Sequence, residues 1–147
     1  MTISNYQKAF KQLVNKPVKL AKYEKHNAKF AWEFVREMAQ LGLTGISIPA
    51  EYGGQEADNI SGVIAMMEMS RVWAGGALIL GVGNSLASYP LVKFGTDEQK
   101  KQWLPALAEG KILGCFGLTE ANHGSNAGGI RTYAEHAGIS QYIVSGE

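Results

Sequence analysis

Thr119, Glu120, Asn122, His123, Ser125 and Asn126 fall within one short stretch, interleaved and followed by Gly124, Gly128 and Gly129. Hydroxyl and amide side chains supply short hydrogen-bonding groups, and glycines let a backbone approach a ligand closely. The apolar run Ile112, Leu113, Cys115, Phe116 and Leu118 feeds into this loop. A loop of this make-up at a strand end is suited to cradle an extended polar ligand such as a nucleotide phosphate. Composition alone leaves open a plain glycine-rich turn between two strands. Glu120 is the one carboxylate inside the stretch and so the tempting acid–base group. No HExxH, CxxC or cluster of histidines and carboxylates suggests a metal site. Cys115 is the single cysteine, which excludes an intrachain disulfide, and its apolar neighbours predict a buried, inert thiol.

Gly117-Leu118-Thr119-Glu120-Ala121-Asn122-His123-Gly124-Ser125-Asn126-Ala127-Gly128-Gly129 resembles a signature of the acyl-CoA dehydrogenase family of flavoenzymes. Ile46-Ser47-Ile48-Pro49-Ala50-Glu51-Tyr52-Gly53-Gly54 fits the same family, as do Gly83-Asn84-Ser85-Leu86 with Pro90, and Phe94 to Pro105. Separated segments in the right order, covering about Lys29 to the end, are more specific than one motif. The pattern departs from the family at His123, where a small residue is usual, and at Asn126, where Asp is usual. Asn126 keeps an acceptor that could cap the loop and loses the charge.

The resemblance implies removal of two hydrogens from the α and β carbons of an acyl-CoA thioester, with FAD as hydride acceptor. It implies that Phe116, Leu118 and Thr119 meet the flavin ring through backbone groups and the Thr119 hydroxyl. The Gly124 backbone and Ser125 hydroxyl would lie near the FAD pyrophosphate, Ser125 also reaching the CoA substrate. Gly81, Val82 and Gly83 fall where the family lines its acyl pocket. The family's catalytic glutamate belongs to a later helical domain, so no catalytic base is expected before residue 147, and Glu120 reads as structural. The implied partners are an electron-transfer flavoprotein and further copies of the chain. The same scaffold also carries oxidases, monooxygenases and decarboxylating dehydrogenases of the glutaryl-CoA type, the last echoed by Cys115–Glu120 with Asn122. A non-catalytic helical interaction module is the reading from another class.

The elements that would position these residues are mostly helical. The 147 residues are 46% hydrophobic and 18% charged, enough apolar material for a core. A net charge of +1 argues against a dedicated nucleic-acid binder. The first fifty residues nonetheless carry a surplus of basic groups, read as a solvated helix face. Ser4 is a candidate cap for a helix with Tyr6, Phe10, Leu13 and Val14, and Lys16-Pro17 breaks it before Leu20, Ala21 and Tyr23. Phe30, Phe34, Val35, Met38 and Leu41 form a further helical face, closed by Gly42. Leu43 to Pro49 reads as extended or irregular, followed by a turn at Tyr52-Gly53-Gly54.

From Asp58 or Asn59 to Trp73 the apolar residues surround a helix, which predicts a place in the middle of a bundle with its methionines as core filler. Ala77–Leu86 predicts another buried helix, Pro90 a fresh start, and Thr96 with Gln99 a capping box. After Lys111 the period changes: Ile112–Leu118, Ile130–Ala134 and Tyr142–Ser145 read as strands, with a turn over His136–Ser140. The expected fold is therefore mostly α: an N-terminal α-helical bundle over residues 1–111, then over 112–147 the first strands of an incomplete β-barrel domain. Two or three strands cannot close a barrel, so the chain is expected to be a fragment, inactive alone. The start shows no secretory or transit pattern, and the apolar stretch Gly75–Leu86 is short and glycine-interrupted, so a cytoplasmic protein without a membrane segment is expected.

Overall fold

A computed structural model describes Lys8 and residues 32–71, 73–139 and 141–146. The helices expected around Tyr6–Val14 and Leu20–Tyr23, and the Phe30 position, lie outside the described residues. The chain divides into two units, Met1–Cys115 and Phe116–Glu147. The first is helical and the second carries the two strands, which gives the mostly α fold with the opening of a β domain.

In the first unit, α1 (Trp32–Gln40) buries Phe34, Val35 and Met38 on one face. Gly42 follows at φ +74°, a left-handed conformation that glycine adopts without a Cβ penalty. The segment after it is more compact than extended. A 3₁₀ turn at Leu43–Gly45 and another at Ala50–Tyr52 fold it back on itself. Gln55 N donates to Gly45 O at 2.8 Å, Ala57 N to Ile46 O at 2.8 Å and Glu56 N to Ile48 O at 2.9 Å. These bonds satisfy the backbone locally, so Leu43, Ile46 and Ile48 can be buried without a sheet.

Asp58 caps α2 (Asn59–Ser70), its carboxylate accepting from Ser61 N at 2.8 Å. The all-round apolar pattern of α2 does not place it mid-bundle. Only Ser61, Ala65 and Met69 are buried, while Ile60, Val63, Met66 and Met67 are exposed. Its small residues face the core, because they let α3 approach closely; the large ones are left outside. Met69 alone is core filler.

The next helix is longer than its glycines and Pro90 suggest. α3 (Ala74–Gly81) passes without a break through a π turn (Val82–Ser88) into α4 (Tyr89–Phe94). A proline ring clashes with the carbonyl four residues earlier in an α-helix, and the wider turn just before Pro90 accommodates it. The helix is only partly buried, with Leu78 and Leu86 exposed. Ala74–Phe94 is, by length and composition, long and apolar enough to cross a membrane, more than Gly75–Leu86 suggested. Asn84 and Ser88 are nevertheless buried in it and hydrogen-bonded, as in a core helix of a globular domain. The capping box of α5 (Asp97–Ala108) forms as read, Thr96 Oγ1 accepting from Gln99 N and the Gln99 side chain accepting from Thr96 N. Pro105 sits inside α5 without ending it, and Gly110 at φ +62° follows the C-terminus.

Among the described residues the core has two parts. Met38, Leu43, Ile46 and Met69 lie in one, with the Phe34 and Trp73 rings edge to face at 4.9 Å. Ile48, Leu104, Leu107 and Ala108 form the other.

Ile112–Leu118 is not a strand. No described segment pairs with it, and extended backbone without a ladder partner stays irregular. Cys115, expected to be buried, is therefore exposed. In the second unit β1 (Tyr133–His136) pairs antiparallel with β2 (Tyr142–Ser145), Tyr133 opposite Ser145 and His136 opposite Tyr142. β1 starts later than Ile130, because the backbone before it is engaged elsewhere, as described next.

Candidate functional site

The loop between the extended segment and β1 is folded around Glu120. Its carboxylate oxygens accept from Arg131 N at 2.9 and 3.0 Å and from Thr132 N at 2.7 Å. Backbone bonds between Glu120 and His123 close the near end, at 3.1 and 3.2 Å. One side chain thus ties the start of the loop to its exit eleven residues on. That explains why Arg131 and Thr132 are not ladder residues. The Thr132 side chain, then the amides of Arg131 and Thr132, and finally nearby His123 hold the Glu120 carboxyl at about 2, below the ordinary 4.5. A carboxylate this reluctant to take a proton is a poor general base, and its geometry is that of a strut.

A depressed native value means that the loop gains from the ionised form. The gain is complete above the ordinary carboxylate range and is lost as pH falls from about 4.5 toward 2. In an NMR titration the Arg131 and Thr132 amide signals are expected to move with a midpoint near 2. A midpoint near 4.5 would show that the strut is not formed.

Thr119, Gly124 and Ser125 are exposed on this loop, and Phe116 and Leu118 are exposed on the segment leading to it. A Cβ on Gly124 would come within 4.0 Å of Thr119 Cγ2, so the fold brings these two positions together. Among the described residues, no hydrogen bond engages the Thr119 or Ser125 hydroxyl or the Gly124 amide. Two hydroxyls and an amide free on a rigidly strutted loop are a donor set that suits a phosphate or a flavin edge.

His123 and Asn126, the two departures from the family pattern, take different places in the loop. His123 does not present its nitrogens to solvent; both are buried and lack a hydrogen-bond partner. The ring lies against Gly129, where a Cβ would meet Nδ1 at 2.6 Å, so Gly129 makes room for the histidine. The Asn126 side chain does not cap the following 3₁₀ turn (Ala127–Gly129); its backbone carbonyl accepts from Gly129 N at 3.0 Å instead.

In the helical unit, a cavity of about 350 Å³ opens between α2 and the long helix. Gly81 lines it, with Val63, Met66 and Leu80 as apolar wall and Ser47, Asn84, Ser85 and Tyr89 as polar contributors. Val82 and Gly83, expected beside Gly81, are not in its wall. The sequence marks Asn84 only as part of the Gly83-Asn84-Ser85-Leu86 segment and does not single out Tyr89. Its available signal was a polar Gly83-Asn84-Ser85 inside an apolar helix, where a buried amide must find partners. Among the described residues no group of three or more His, Cys, Asp or Glu could hold a metal ion.

An apolar helical unit, followed by a strand-bearing unit that opens with a strutted hydroxyl-rich loop, defines a helical domain leading into a β domain. The chain belongs to the acyl-CoA dehydrogenase family: residues 3–111 match the acyl-CoA dehydrogenase N-terminal domain. It is 40% identical over 118 residues to an acyl-CoA dehydrogenase of Bacillus subtilis, covering 80% of this chain and 31% of that protein. Against the mitochondrial short-chain specific acyl-CoA dehydrogenase of Bos taurus it is 42% identical over 112 residues, 76% of this chain and 27% of the relative. The solved structure of a glutaryl-CoA dehydrogenase from Mycobacterium smegmatis in complex with FADH2 superimposes with a TM-score of 0.87 at 32% identity, covering 98% of this chain and 37% of that one. The chain spans about a third of the length of these proteins.

Proposed function

We propose that the chain supplies the N-terminal helical domain and first β segment of an FAD-dependent oxidoreductase that dehydrogenates an acyl-CoA thioester to the trans-2-enoyl-CoA. The observation that carries this reading is the Glu120-strutted loop, which leaves Thr119, Gly124 and Ser125 free to donate. When bound, FAD supplies the hydride acceptor that no amino-acid side chain can provide. Thr119 and Phe116–Leu118 would hold the flavin ring, Gly124 and Ser125 its pyrophosphate, and Ser125 the CoA side of the substrate. The chain's own part is to bind and orient; proton abstraction from the α carbon requires a carboxylate that Glu120, ionised and bonded to two amides, does not offer.

The 147-residue chain with added FAD is therefore expected to show no turnover of any acyl-CoA with an artificial electron acceptor, whereas the whole protein reduces the acceptor. Turnover by the chain alone would overturn the assignment of roles, and a flavin-loaded whole protein inert toward every acyl-CoA would overturn the function. The same reading places the whole protein in fatty-acid metabolism in the cytoplasm, as a homo-oligomer passing electrons to an electron-transfer flavoprotein. The likeness to the M. smegmatis enzyme favours a second reading, decarboxylating oxidation of glutaryl-CoA. Carbon dioxide release from glutaryl-CoA separates the two.

A further inference from the structure

We propose that Asn84, clasped to the Leu43–Ser47 segment, is a positioning residue: it holds the π turn and thereby places Tyr89 on the wall of the cavity. Asn84 is buried, and every part of its amide is engaged. Its Nδ2 donates to Leu43 O at 2.8 Å and to Leu80 O at 3.0 Å. Its Oδ1 accepts from Ser47 N at 3.4 Å, and its backbone carbonyl accepts from the Ser47 hydroxyl at 2.9 Å.

The last contact fits the widened turn, since a carbonyl in a π turn is tilted off the tight α ladder and can serve a partner outside the helix. The hydroxyls of Ser85 and Ser88 serve two more carbonyls of the same stretch, Gly81 O at 2.6 Å and Gly83 O at 2.7 Å. Those bonds lie inside the helix; among the described residues it is the Asn84–Ser47–Leu43 set that hydrogen-bonds the turn to another part of the fold.

The consequence is a matter of phase. Leu80 and Tyr89 are nine positions apart, which in an undisturbed α-helix sets them about 180° apart, on opposite faces. Here both line the same cavity. The slower winding over Val82–Ser88 brings Tyr89 round, and loss of the clasp would free the turn to shift against the Leu43–Ser47 segment and carry Tyr89 away. Pro90 favours the wide turn but bonds to nothing outside the helix, so it cannot fix the turn against the cavity by itself.

The inference rests on the acyl-CoA reading only for what the cavity serves, and the first arm of its test is independent of that reading. In the full chain, Asn84→Ala and Ser47→Ala are expected to speed amide hydrogen exchange over Ser85–Leu91 about tenfold relative to α2 and α5. Ser47→Thr, which keeps the hydroxyl, is expected to leave exchange unchanged, and a crystal structure of the Asn84→Ala chain is expected to show Tyr89 off the cavity. Uniform acceleration across all helices, no acceleration, or Tyr89 unmoved would overturn the proposal. Should Asn84→Ala fail to fold, Ser47→Ala against Ser47→Thr decides alone. In the second arm, the whole protein carrying Ser47→Ala is expected to show KM for acyl-CoA raised several-fold with kcat nearly unchanged. An unchanged KM beside the local exchange effect would remove the cavity from substrate binding and overturn the positioning role in catalysis. A wild-type protein inert toward acyl-CoA instead sinks the functional reading and leaves the exchange result to decide the clasp.

Discussion

Gly54→Ala is expected to destabilise the helical unit by about 3 kcal/mol or more, beyond the usual range for an added methyl group. The added Cβ would fall on the carbonyl of Ile48 and against its side chain. Neither can yield. Ile48 is fully buried, and its carbonyl is already bonded to Glu56 N at 2.9 Å. The flanking bonds from Gln55 to Gly45 and from Ala57 to Ile46 hold the two backbones at this separation. Relief would require unstitching the whole return segment. Neighbouring Gly53 has open space around its Cβ position but sits at φ +83°, so Gly53→Ala is limited to backbone strain of about 1–2 kcal/mol. Gly62 in α2 also has open space and a helical backbone, and Gly62→Ala is expected to add up to about 1 kcal/mol. Urea unfolding of the three variants tests the order. A Gly54→Ala chain with an unshifted midpoint would show that the stitched loop is not formed in solution.

Leu104→Ala should cost about 3 kcal/mol, roughly a hundredfold in the ratio of folded to unfolded chain. Leu104 is completely buried on α5 with Ile48, Leu107 and Ala108, and Tyr52, Leu91 and Ile112 pack against that group. Ile48, Tyr52 and Leu91 come from other elements, so the hole left by alanine cannot close by a shift of α5 alone. Leu78→Ala, on an exposed side chain of α3, is the matched control, expected within about 0.5 kcal/mol of the parent. Thermal and urea unfolding together read both. Equal losses at the two positions would contradict the core described here.

Both positions bear on how the family signature should be understood. Tyr52-Gly53-Gly54 can be recognised in the sequence as part of a pattern, but its two glycines exist for different reasons. Gly53 supplies a positive φ, and Gly54 a backbone with nothing on it. The pattern shows that glycine is there; the contact to Ile48 shows why. Glu120 is a parallel case. Its place in the motif marked it as structural, and the amides of Arg131 and Thr132 supply the reason.

What the sequence by itself determined is what depends on near neighbours along the chain. The α5 capping box, the start of α2 at Asp58 or Asn59, the Gly42 stop, the helical face of Phe34, Val35 and Met38 and the position of β2 follow from bonds and periodicities spanning a few residues. So does the family, because the motifs are strings of local backbone requirements. Tertiary structure alone decided which side of α2 is covered, that Ile112–Leu118 finds no ladder partner among the described residues, that Cys115 is exposed and that the His123 nitrogens are buried. It also decided that the long helix runs through Pro90 on a π turn. These turn on contacts that only the folded chain makes, whether between distant parts, as for Asn84 with Leu43 and Ser47, or within one loop, as for Gly129 against His123. A side chain's type states what partner it needs, and only the folded chain determines whether that partner arrives.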